Sequence, residues 1–200
     1  MPEIEFTKEE FLFLKDHQFF DVKASITSKV IQLFSRIEEG IVTEIKTSSF
    51  KFPEHVLTTP SKISKGENYL KCPYIVLDYP RLYSKDDIFA FRNIFWWGHY
   101  FSNAFIIGGK SYDRYLPRFL EITGKLKKKN WELCIYRTPW KLEKLPWNYV
   151  QFSRLSDEEI KFRLQKYPFI KITRIYPLGL YKKLEMETRH FLSDLINLMA

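Results

Sequence analysis

Arg92, His99 and Asn103 stand inside the most apolar stretch of the chain, "IFAFRNIFWWGHYFSNAFIIGG" (residues 88–109). A guanidinium among aromatic rings has to be paired, because a buried unsatisfied charge costs several kcal/mol. Two partners suggest themselves. Asp78 on the preceding apolar run can brace the arginine, or Arg92 can grip a carboxylate or phosphate of a ligand bidentately, with Asn103 and His99 near the rim. Lys65, in the glycine-containing run "SKGENY" (64–69), is a further ligand candidate beside the same element.

A second constellation is "RTPWKLEKLPWNYVQF" (137–152), which repeats Pro-Trp at a spacing of seven and interleaves Arg137, Lys141 and Lys144 with Trp140 and Trp147. Rings alternating with cations suit single-stranded nucleic acid, with stacking for the bases and charge for the backbone. The simpler reading folds both tryptophans onto the core as a lid. Charge points the same way as the rings. Between Lys110 and Val150 there are ten Lys or Arg against four acids, which is most of the chain's net charge of +8. Such a surface (110–150) attracts nucleic acid or an acidic protein, or simply keeps the chain solvated.

Strong signatures of other chemistry are missing. No Rossmann glycine fingerprint, Walker loop, nucleophile elbow, zincin helix or C-x-x-C occurs. "AFIIGGKS" (104–111) has phosphate-loop spacing but places Ala104 at the first glycine position and apolar residues in the loop. His17, His55, His99 and His190 lie far apart, so no local metal site and no cofactor is expected. Cys72 and Cys134 fit a reducing compartment, and with an acidic "MPEIEFTKEE" start the chain reads as cytoplasmic. Arg92 alone costs about 2.5–3.5 kcal/mol at a bilayer centre, which argues against a membrane span at 88–109.

Positioning these residues requires a scaffold. Two hundred residues with 18% aromatics predict one globular domain, 1–200, with a dense core. Thr7 and Glu10 form a capping-box pattern, Asp21 can cap a second helix, and Gly40 is expected to bend or end it. Residues 47–69 lose periodicity and read as a long loop. "CPYIVLDY" (72–79) is a strand that Pro80 closes. The stretch 88–109 reads as a hairpin turning at Gly98-His99, in preference to a helix capped by Ser84 and Asp87. That two-residue turn pairs Ile94 with Asn103 and Arg92 with Phe105, and puts Arg92 and Asn103 on one face, Asn93 and Ser102 on the other. A helix near 112–129 interrupted by Pro117, strands at 131–137 and 169–176, a helix opened by Ser156 and Glu159, and a C-terminal amphipathic helix complete the reading. The fold class is α+β: a mainly antiparallel sheet of four to five strands with N-terminal, middle and C-terminal helices packed on it. Function reduces to two classes. The preferred one is a binding module using the basic surface; the alternative is an enzyme or small-ligand protein with a pocket at the hairpin.

Overall fold

The computed structural model describes residues 3–200; the acidic start discussed above includes Met1 and Pro2, which lie outside the described residues. Helix α1 (Lys8–Leu14) opens with the expected box: the Thr7 hydroxyl accepts from the Glu10 amide and the Glu10 carboxylate from the Thr7 amide. Helix α2 (His17–Thr47) is capped by Asp16, not Asp21, and runs 31 residues through Gly40. Gly40 serves close packing instead of termination, since a Cβ there would come within 3.0 Å of the Arg189 side chain on the C-terminal helix. Tertiary contact thus overrides glycine's weak helix propensity.

The sheet has seven strands, ordered β1-β2-β3-β4-β7-β5-β6, with every pair antiparallel. These are β1 (Lys62–Tyr69), β2 (Cys72–Tyr83), β3 (Asp87–Trp96), β4 (Tyr100–Gly109), β5 (Glu132–Cys134), β6 (Tyr149–Gln151) and β7 (Phe169–Pro177). The expected four to five strands omitted β1 and β6. β1 is polar and carries a register break between Gly66 and Tyr69, as suits an exposed edge, so its sequence has no apolar alternation to announce it. The long loop therefore shrinks to residues 48–61. Pro80 does not close β2; the strand passes through a cis Tyr79–Pro80 bond and a register shift between Asp78 and Arg81. Of the strand expected at 131–137, only Glu132–Cys134 pairs.

One face of the sheet carries the main core. Leu77, Phe89, Phe91, Phe105 and Ile172 point into it and meet Phe34 and Ile37 of α2, Phe119 of α3 (Lys110–Glu121) and Phe191 of α6 (Leu184–Met199). Pro117 lies inside α3; the break falls at Ile122, before the short α4 (Thr123–Leu126). The box at Ser156 and Glu159 caps α5 (Asp157–Lys166). The other face carries a smaller cluster of Val76, Ile94 and Trp96, packed with Tyr69, Tyr74, Tyr100 and Leu142. Helices cover the first face and the segment between β5 and β6 covers part of the second. Among the described residues no helix is long and apolar enough to cross a membrane.

The hairpin at 88–109 forms, with one difference of register. His99 N–H donates to Trp96 O at 3.1 Å around Trp97 and Gly98, and Gly98 takes φ +71°. Trp96 therefore opposes Tyr100, Asn93 opposes Asn103 and Arg92 opposes Ala104. A shift of one residue sends each side chain to the other face. Asn103 joins Asn93 in the main core, and Arg92 lies on the opposite face with Ser102; the grouping expected from sequence is corrected accordingly. Buried Asn103 donates from Nδ2 to Asn93 Oδ1 and to Thr188 Oγ1 of α6 (3.1 Å), tying the hairpin to that helix.

Candidate binding surface

The second face of the sheet is built around Lys171, a residue that the sequence reading passed over. It occupies the third position of β7, where the alternation of "FIKITRIY" turns it away from the helices. Its Nζ donates to the carbonyls of Pro139 (2.8 Å) and Lys141 (2.9 Å), and its residue is 3% exposed. Those acceptors belong to residues 135–148, a strap that crosses the sheet between β5 and β6. Three phenols hold the same strap: Tyr149 Oη donates to Lys141 O (2.9 Å), Tyr100 Oη to Leu142 O (2.5 Å), and Tyr69 Oη to the Glu143 carboxylate while accepting from Leu142 N–H (3.1 Å). Burial, helped by Glu143, pushes the Tyr69 phenol up to about 12. The strap thus has no helix or strand of its own and is positioned by side chains rising from four strands.

Burial lowers Lys171 to about 8, and nearby Arg92 adds to the effect. A neutral amine still supplies two N–H donors, which match the two carbonyls. The linkage follows from the sign of that shift. Between about 8 and the ordinary 10.5 the unfolded chain holds the proton that the folded chain has released, so stability rises with pH across that window. The expected slope is at most roughly 1 kcal/mol per pH unit, and the buried phenols, whose values are raised, oppose it above about pH 10. Urea unfolding between about pH 8 and 10 checks this: Lys171→Met removes the rise, and an unchanged profile in that variant refutes the assignment.

Arg92 is paired. Its Nε donates to Asp78 Oδ1 (2.7 Å) and its Nη2 to Asp78 Oδ2 (2.8 Å), a bidentate fork between residues directly opposite across β2 and β3. Tyr83 Oη donates to Asp78 Oδ1 at 3.1 Å and accepts from Arg92 Nη2 at 3.2 Å. The Trp140 ring of the strap lies over the guanidinium, 5.3 Å from its carbon, and 6.0 Å from the Tyr83 ring. The four groups satisfy one another, and Arg92, Asp78 and Asn103 line none of the five grooves of about 380–720 Å³ on the described residues. The other proposed ligand residues do not gather around Arg92. Lys65 faces a groove of about 490 Å³ at the β1 edge beside the Lys23–Glu67 ion pair (2.8 Å). His99 stacks on Trp96 at the hairpin tip, with centroids 3.5 Å apart, and opens on a different groove.

The strap's outer side is where aromatic and charged groups meet solvent. Trp140 remains 42% exposed and Trp147 64%, whereas Trp96 and Trp131 are buried. Trp140 thus packs over Arg92 yet stays partly in water, and Trp147 does not fold onto the core as a lid. Arg137 is exposed; Lys141 reaches Glu143 at 3.4 Å, and Lys144 pairs with Glu132. Two shallow grooves of about 400 and 380 Å³ flank the Lys144–Glu132 pair, one reaching His99 and Tyr100, the other Pro146 and Arg154. Elsewhere in 110–150 the basic excess is partly met by acids distant in sequence: Lys127 with Asp157 (3.2 Å) and Lys129 with Asp194 (2.7 Å).

Cys134 is buried with its thiol pushed up by desolvation, which disfavours a nucleophilic role, and both cysteines are free. Among the described residues no group of three or more His, Cys, Asp or Glu side chains could hold a metal ion. The phosphate-loop-like "GGKS" opens α3, but the first turn is already served from within the chain: Ser111 N–H donates to the Asp87 carboxylate at 2.8 Å and Lys110 N–H to Asp86 O at 3.1 Å. Ser84 and Asp87, weighed above as a helix cap, form the β2–β3 turn instead. Compared with protein-family models, with curated proteins and with solved structures, the chain matches none of them.

Proposed function

We propose that the chain is a binding module whose strap takes single-stranded nucleic acid. The observation that carries this reading is the exposure of Trp147 and Trp140 on a segment pinned to the sheet by Lys171 and three phenols. A tryptophan face left in water on a fixed backbone is a ready stacking platform, because little ordering entropy is left to lose when a base lands on it. Arg137, Lys141 and Lys144 border the two rings, and Arg154 extends the charge along the neighbouring groove. Bases stack on Trp147 and on the open edge of Trp140, while the phosphates follow the cations; such a site accepts many sequences.

Quenching of tryptophan fluorescence by a single-stranded homopolymer, followed as salt is raised, tests the reading. Trp147→Ala is expected to weaken binding by one to two orders of magnitude, the loss of about 1–3 kcal/mol of stacking. Arg137→Gln is expected to reduce the slope of log affinity against log salt by about 0.7, one phosphate contact on a single strand. Absence of quenching at low salt sinks the proposal. Equal quenching by polyglutamate would replace it with an acidic protein partner, since no stacking would then be involved.

A further inference from the structure

The N-terminal arm is the least buried part of the fold, and its composition is wrong for a solvated tail. No residue of α1 is buried, and in α2 burial begins only at Val30. Phe6, Phe11, Leu12, Phe13, Phe19 and Phe20 are all between 48% and 71% exposed. A contiguous set of large apolar side chains held in water marks an interaction surface rather than chance, for scattered single exposures are the ordinary pattern. The body carries a matching feature. A groove of about 720 Å³ lies between the middle of α2, the tip of the β3–β4 hairpin and the turn leading into α6; Phe95, Phe101 and Leu178 line it.

Charge identifies the occupant. Residues 3–16 hold Glu3, Glu5, Glu9, Glu10 and Asp16 against Lys8 and Lys15. Lys29, Arg36 and Lys182 line the groove, with Glu185 the one acid among its lining residues. An acidic apolar arm and a basic apolar groove on the same chain fit each other across a two-fold axis, where each arm fills the other copy's groove and the arrangement closes at two. The area is adequate. Five phenylalanines of residues 6–20, each about half exposed, cover on the order of 100 Å² apiece, so two arms and two grooves together approach the roughly 2,000 Å² of stable dimers.

We propose that the chain forms a reciprocal dimer in which the N-terminal arm of each copy docks in the groove between α2, the hairpin tip and α6 of the other. The proposal is independent of the strap. Its test is the mass of the full chain in solution at tens of micromolar, by light scattering or sedimentation. The expected mass is that of a dimer. Phe11→Glu with Phe13→Glu should give a monomer, and reversing the groove charges (Lys29→Glu, Arg36→Glu, Lys182→Glu) should weaken the dimer by at least about tenfold. Reversing the arm charges instead (Glu3→Lys, Glu5→Lys, Glu9→Lys) should do the same. Mixed together, the groove-reversed and arm-reversed chains should pair with each other although neither pairs with itself, because every arm then faces a groove of opposite sign. A monomeric parent chain overturns the proposal, whether its arm is open to protease, closed on its own body or bound to lipid vesicles. A dimer that survives the arm and groove changes overturns it equally, since its interface then lies elsewhere.

Discussion

Asp78→Ala is expected to destabilise the fold by about 3–5 kcal/mol, the usual cost of leaving one member of a buried ion pair behind. The Arg92 side chain is only 19% exposed and that of Asp78 7%. Both oxygens of Asp78 are engaged by the guanidinium, and Tyr83 completes the ring of hydrogen bonds. With the carboxylate gone, Arg92 retains only Tyr83 and the face of Trp140, neither of which carries the opposite charge. The alternative outcome for the pair as a whole is different. Asp78→Leu combined with Arg92→Met should return the protein to within roughly 1 kcal/mol of its parent, since replacing a buried pair by apolar groups of similar size is often neutral. Denaturant unfolding of the two variants decides the matter: a loss below about 1 kcal/mol for Asp78→Ala would mean that water reaches Arg92 freely and that the pair does not brace the sheet.

Gly109→Ala is expected to cost about 3 kcal/mol or more, the upper end of what a backbone held in a glycine-only region costs, because a steric clash is added to it. Gly109 sits at φ +58°, ψ −131°, and a Cβ built there would meet Asp86 O at 2.2 Å and Asp86 C at 2.8 Å. Those atoms are backbone of the β2–β3 turn, which cannot step aside without releasing the Asp86 and Asp87 contacts to the first turn of α3. Gly98→Ala provides the comparison. Gly98 also has positive φ, +71°, but nothing lies within 4 Å of its Cβ position, so only the intrinsic preference of about 1 kcal/mol is lost. Melting temperatures of the pair measure the difference. Equal losses would show that conformation, not contact, sets the requirement at Gly109.

The contrast between the two glycines shows where sequence reading reached and where it stopped. "GGKS" carries the spacing of a phosphate loop, yet the reason for its second glycine is a turn 23 residues earlier in the chain, whose backbone passes against it. Local signals performed well where the physics is local. The boxes at Thr7 and Ser156 each depend on two residues three positions apart and form as expected. The strand character of 72–79, 88–109 and 169–176 follows from their β-branched and aromatic content and appears in β2, β3, β4 and β7. The polar edge β1 and β6, whose three residues are too few to show alternation, are strands only because a neighbour offers them a ladder.

The binding surface divides the same way. Trp140, Trp147 and their cations are legible as a motif, because composition and spacing are properties of one segment. That Trp147 stays in water, that Trp140 lies over Arg92, and that Lys171 and three tyrosines anchor the strap are decided by strands far apart in the chain, from β1 to β7. Lys171 carries no local signal, since one lysine in a strand usually marks a solvent face and only the strap above it makes that face an interior.

From composition and alternation alone the chain is an antiparallel α+β protein with an aromatic hairpin at 88–109 and an Arg92 that needs an anionic partner. Which face each hairpin residue takes was left to the turn. A two-residue turn at Gly98-His99 would have put Arg92 beside Asn103; the three-residue turn at 97–99 opposes Trp96 with Tyr100 and puts Arg92 and Asn103 on opposite faces. Side chains on a strand have a period of two, so a single residue in the turn reverses every assignment beyond it, and only packing of both faces chooses between the two.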